Sequence, residues 1–302
     1  MVSTSVMNYL LEAGVLGFVF PLVVLMAWRL RTRKNLMPAL AGAIAFFAFG
    51  KLFASVPFML FVGIEHPLSE IIRSNEIIYA IYQGIVAALL EETGRYLVFS
   101  YFLTKHQESR QTAITYGIGH GGIECMFVLG WTNLQYYMSA IIIGSGEKVT
   151  ENLPKEMIQD MASMTVSNCV MNTISGILLY ALQIVLSILV FQAFRNTVIR
   201  KRLFGYAVLF HAVFYLPQGL YQAKLVPQLV MVLLQFFIFA VAFILAFNIY
   251  KKMGENEKKK AKEQKKGVSA SEEKGWAFAN KKLSNIDENS TKNNSSSEKD
   301  TD

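Results

Sequence analysis

Hydrophobic residues fall in long runs separated by short polar gaps. A membrane span needs about 20 mostly apolar residues. Seven runs meet that length, over roughly 9–30, 36–63, 77–103, 112–143, 167–194, 203–220 and 228–250. The pattern predicts an all-α, polytopic membrane helix bundle. The first run has no basic residue before it and is long enough to cross a bilayer, so it reads as a transmembrane helix and not as a cleavable leader. No internal repeat is visible.

The gaps alternate in charge. Arg29, Arg31, Arg33 and Lys34 follow the first run, Lys105 and Arg110 the third, and Arg195, Arg200, Lys201 and Arg202 the fifth. The gaps after the second, fourth and sixth runs hold only Arg73, then Lys148 and Lys155, then Lys224. Cations accumulate on the cytoplasmic side, which predicts the N-terminus outside and the C-terminus in the cytoplasm. In the gap at 144–167, Met157, Met161 and Met164 lie among Glu156, Gln159 and Asp160. That spacing fits either a short helix in the membrane interface or a solvated loop. From Lys251 the composition turns to Lys, Glu, Ser and Asn. The expectation is a transmembrane domain over 1–250 and a charged, disordered cytoplasmic tail over 251–302, with a Lys-rich start suited to anionic headgroups.

Composition agrees with this reading. The chain is 53% hydrophobic and 13% aromatic, with a mean hydropathy of +0.35, too apolar for an ordinary soluble domain. The net charge of +7 would suggest nucleic acid in a soluble protein. Here the cations sit where topology needs them, so the expected partner is the lipid bilayer of the cell membrane and no nucleic acid. Cys125 and Cys169 both lie in apolar runs and read as small packing residues.

Against this background the ionisable residues inside the runs stand out, because each costs roughly 2.5–3.5 kcal/mol at bilayer depth on insertion scales. In "ALLEETGRYLVF", Glu91 and Glu92 lie four and three residues before Arg95, so the guanidinium can reach either carboxylate on a helix. In "YGIGHGGIECMF", His120 and Glu124 are one turn apart within Gly117, Gly119, Gly121 and Gly122. The glycines suit close helix packing. In "LFHAVFYLPQG" the sixth run carries His211 and Tyr215. At about 1.5 Å per residue, Arg95, His120 and His211 lie at similar depths, roughly 12–14 Å from the cytoplasmic ends of their runs. Two histidines and several carboxylates in a dry cavity suit a divalent cation, zinc above all, with His120, Glu124 and His211 as candidate ligands and a further carboxylate as general base. The same groups could also activate water without metal. Glu12 and Lys51 are expected to snorkel, and Asn168, Asn172 and Gln183 to hydrogen-bond between helices.

The order of "EExxR", a histidine in a later span and a second histidine in another resembles the prenyl-protein (CAAX) protease and bacteriocin-processing superfamily. The "GIGHGGIE" version is most similar to its YhfC branch of intramembrane metalloproteases. The likeness covers the third to sixth runs. It implies that Glu91 or Glu92 activates the water, that Arg95 orients the pair, and that His120 and His211 bind metal or stabilise the oxyanion. The chain departs from the wider pattern. It has one residue fewer between the glutamates and the arginine, Tyr116 where Phe is usual, and Tyr215 where Asn or Asp is usual; Glu124 would supply the missing polar ligand. The activity implied is endopeptidase cleavage of a membrane protein or peptide substrate. A transporter or proton relay, and a non-catalytic immunity or scaffold protein, would carry similar residues.

Overall fold

A computed structural model describes residues 2–145 and 155–297. The described residues are almost wholly helical, and the chain divides into two units, Met1–Lys251 and Lys252–Asp302. The helices are α1 Thr4–Thr32, α2 Met37–Gly63, α3 Pro67–Ser74, α4 over 76–102, α5 over 111–144, α6 Lys155–Ser163, α7 Val166–Arg195, α8 Arg200–Gln222 and α9 from Gln228.

Seven of these coincide with the runs read from the sequence. Among the described residues α1, α2, α7, α8 and α9 are long and apolar enough to cross a membrane. Helices α4 and α5 match them in length but carry Glu91, Glu92 and Arg95, and His120 and Glu124, which lower their hydropathy. The protein is an all-α, multi-pass membrane protein. The last helix extends to Ser297, where the sequence reading expects a disordered tail. Its Lys, Glu, Ala and Gln after residue 251 are strong helix formers, and no proline interrupts them. In the gap between α5 and α7, α6 is helical; the part at 146–154 lies outside the described residues. Met161 is 1% exposed and Met164 packs on Val6, Leu10 and Cys169, so these methionines face protein.

Local chemistry sets the ends of the helices that build the site. The Asn75 side chain accepts from the amides of Ile77 and Ile78 to start α4, and Thr165 with Asn168 forms a capping box at the start of α7. Helix α8 breaks at Tyr215, four residues after His211, because Pro217 has no amide hydrogen to continue the ladder. Wider π-type turns interrupt α2 at Phe46–Phe53 and α5 at Met126–Trp131. Such turns are common at functional sites, and these two flank the polar cluster.

Helix α5 lies between α2 and α7, while α4 packs on α8, and α8 on α7. The glycine patch is the seam that permits this. Gly121 sits on Gln183 of α7, where an added Cβ would be 2.8 Å from the Gln183 Cβ. On the other face an added Cβ at Gly119 would run into the Ala39 carbonyl of α2. His120 is held between these two contacts. Both packing and the site therefore depend on the same four residues of sequence.

A Gly119→Ala variant is expected to lose about 1–3 kcal/mol of stability or more, because backbone must move to admit the methyl. Gly205→Ala, with nothing within 4 Å of its added Cβ, should be neutral or gain up to ~1 kcal/mol of helix propensity. Thermal unfolding of the two variants in detergent compares them directly.

Candidate functional site

Glu91, Glu92, Arg95, His120, Glu124 and His211 are all buried, none more than 3% exposed. Charges so far from water must be paired, and the pairing can be followed atom by atom. Arg95 Nη1 is 3.3 Å from Glu92 Oε2. The other side of the guanidinium holds Gln183 of α7: Nη2 donates to Oε1 at 2.5 Å and Nη1 to the Gln183 carbonyl at 3.4 Å. Because an arginine only donates, Oε1 of Gln183 faces Arg95 and its amide NH₂ faces the opposite way. That NH₂ lies 3.4 Å from Glu91 Oε2 and 3.4 Å from His211 Nε2.

The histidine tautomer follows. His211 Nδ1 is 2.8 Å from Glu92 Oε1. An ionised carboxylate only accepts, so Nδ1 donates and Nε2 keeps its lone pair, 3.4 Å from the Gln183 amide. Glu92, which the sequence leaves as an alternative base, is thus committed on one oxygen to a hydrogen bond with His211 and on the other to an ion pair with Arg95. Glu91 is not. Its Oε2 receives His120 Nε2 at 2.9 Å, while its Oε1 lies toward Gly50, 3.0 Å from where a Cβ would be. A cavity of about 180 Å³ adjoins Glu91 and Glu124 and is also lined by Gly50, Lys51 and Tyr215. The structure brings together every candidate read from the sequence, from α4, α5 and α8.

The model of the YhfC intramembrane metalloprotease family matches residues 17–236. The chain belongs to that family. It is 29% identical over 261 residues to the membrane protein YhfC of Bacillus subtilis (strain 168), a match covering 83% of this chain and 96% of that one. No solved structure matches.

The family's description as metalloproteases implies a metal, and the residues present fit one. Glu91, Glu124 and His211 each offer a donor atom, and these lie within 4.8 Å of one another. Oε2 of Glu124 is buried with no hydrogen-bond partner. Three buried carboxylates stand beside one buried guanidinium, a set richer in anionic than in cationic groups, which suits a divalent cation. The Nδ1 bond from His211 to Glu92 is also the carboxylate–histidine relay that commonly supports a metal-ligating imidazole. This group differs in one member from the ligands expected from the sequence: Glu91 stands where His120 is expected, because His120 Nε2 is turned onto Glu91.

Two residues of this YhfC-family site escape sequence reading. Gln183 reads only as an interhelical hydrogen-bond partner, yet it fixes Arg95, Glu91 and His211 together. Lys51 reads as a snorkelling cation, yet its ammonium lies 5.5 and 5.2 Å from the ring centroids of Phe46 and Phe127, on the wall of the Glu91 cavity. No local motif marks either one; a polar residue recurring at the depth of the others is the only signal.

Arg95→Leu should destabilise the protein by about 3–5 kcal/mol, since Glu92 is left buried without its cation. The double variant Arg95→Leu with Glu92→Gln should lose less than the sum of the single losses. A double-mutant cycle from unfolding in detergent reads the coupling.

Proposed function

We propose that this protein is an intramembrane endopeptidase in which Glu91 is the general base. The observation that carries this reading is the division of labour within one carboxylate. Oε2 is anchored by His120 and approached by the Gln183 amide, while Oε1 lies toward Gly50 at the edge of the cavity. Hydrolysis at membrane depth needs a base in fixed orientation beside room for water and substrate. Glu91 meets both needs.

Glu124 and His211 would hold the divalent cation beside Glu91, and imidazole with carboxylate suits zinc. A cation held there supplies Lewis-acid polarisation of a carbonyl oxygen and acidifies water. The chain's own residues do the rest. Glu91 Oε1 takes a proton from water as its oxygen attacks the carbonyl carbon of the scissile bond. Glu91 then returns that proton to the departing amine nitrogen as the C–N bond breaks. His120 holds the Glu91 carboxylate in place throughout. Lys51 contributes positive charge at the cavity wall for the carbonyl oxygen. Glu92 orients His211, and Arg95 with Gln183 keeps both in register.

The substrate is a membrane protein or peptide, because the cavity lies within the helical domain. Helix α2 beside it exposes Phe47, Leu52, Phe53 and Phe58, an apolar wall suited to lipid. The cation-rich turns after α1, α4 and α7 mark the cytoplasmic side by the positive-inside rule, and the charged tail after Lys251 follows on that same side.

In a reconstituted assay with a library of transmembrane peptides, Glu91→Gln should lower the cleavage rate by about 10²–10⁴-fold. Equal cleavage by wild type and Glu91→Gln, with both folded, would sink the peptidase reading. Metal analysis of the purified proteins separates the roles further. Glu124→Gln and His211→Ala should lose bound metal, whereas His120→Ala should retain it and still cleave poorly. Loss of metal in His120→Ala would instead return that residue to the ligand set.

A further inference from the structure

The cavity beside Glu91 is one of three in a row. It is bounded by Val128 and Tyr215, and these two residues also line a second cavity of about 270 Å³. Asn172 and Gln218 belong both to that second cavity and to a third of about 600 Å³, whose rim carries Glu76 and Lys224. Glu76 opens α4 and Lys224 follows α8, and both are exposed. The mouth is therefore at the opposite ends of those helices from the Arg- and Lys-rich turns.

Side-chain amides are gathered along this row, each needing a hydrogen-bond partner within the helix bundle. Asn168 Nδ2 donates to Gln228 Oε1 at 2.7 Å, and Gln228 Nε2 donates to Asn172 Oδ1 at 2.8 Å. Asn133 and Gln235 lie deeper, on the second cavity. Gln235 is 3% exposed and its Oε1 has no hydrogen-bond partner. A buried acceptor without a partner, on a cavity far larger than the ~10–15 Å³ one water requires, is a site for water. The amides are neutral, and the single acid and base at the mouth offset each other.

We propose that this row is a hydrated passage that admits water and small neutral hydrogen-bonding solutes from the face bearing Glu76 and Lys224 as far as Tyr215. Tyr215 is the partition. It sits at the break in α8, and its ring lies 6.1 Å from that of His211 at an interplanar angle of 25°. The passage stands on the cavities and amides alone. In a hydrolase it would deliver the co-substrate water from one face of the membrane while the apolar wall at α2 remains available to the peptide.

The test uses thiol accessibility in intact cells. Ser175 lines the second cavity, while Ile174, its neighbour on α7, is 39% exposed on the outer surface of the bundle and lines none of the three. The native Cys125 and Cys169, each 2% exposed, give the unlabelled baseline. A small membrane-impermeant thiosulfonate added outside should label Ser175→Cys at least tenfold faster than Ile174→Cys. Gln222→Cys, at the rim, reports that the mouth faces the reagent. The proposal is overturned if Gln222→Cys labels while Ser175→Cys does not, if the two α7 positions label alike, or if labelling requires reagent on the other face. Whether the protein cleaves peptides has no bearing on any of these outcomes.

Discussion

A guanidinium in hydrocarbon cannot be left without partners, and the arrangement of Arg95 follows from that requirement. Its neighbours within α4 satisfy only part of it. Gln183, 88 residues further along the chain, adds a side-chain and a backbone acceptor, and this contact ties α4 to α7. Once Arg95 fixes which end of the Gln183 amide faces it, the other end orients Glu91 and His211. One ion thereby determines an amide flip, a histidine tautomer and which of two adjacent glutamates keeps an oxygen for chemistry. The fixed orientation of these groups is here a by-product of satisfying a buried charge.

The glycine patch performs the matching task for the backbone. Removing side chains at Gly119 and Gly121 lets α2 and α7 close on α5 from two sides, and the imidazole between them has little freedom to rotate away. Aromatic rings finish the enclosure: Phe46 meets His120 edge-on at 5.4 Å and Tyr116 stacks on it at 5.8 Å. Such apolar walls keep the local dielectric low, which strengthens each of the polar contacts they surround.

Much of this is legible in the sequence. Run lengths located seven helices because hydrocarbon thickness imposes a minimum length, and Glu91, Glu92, Arg95, His120, Glu124 and His211 were visible because charge is rare in such runs. What the sequence withheld was pairwise. Glu91 and Glu92 are chemically identical neighbours, and only the positions of α5 and α8 separate their tasks. Gln183 is a neutral residue in an otherwise apolar helix and has no local signature. The continuation of α9 past Lys251 was likewise hidden, since charge composition alone does not distinguish a solvated helix from an unstructured chain.

The i, i+3 pair of Glu92 and Arg95 has a consequence in time as well as in space. Chains emerge N-terminus first at about 5–20 residues per second, so Arg95 is made roughly 4–18 s before Gln183, counting 88 residues at that rate. During that interval the only partners for Arg95 that α4 itself can supply are the carboxylates one turn away. Glu92 is therefore the companion that lets a helix carrying arginine wait in the bilayer, and the later helices inherit a charge that is already half neutralised.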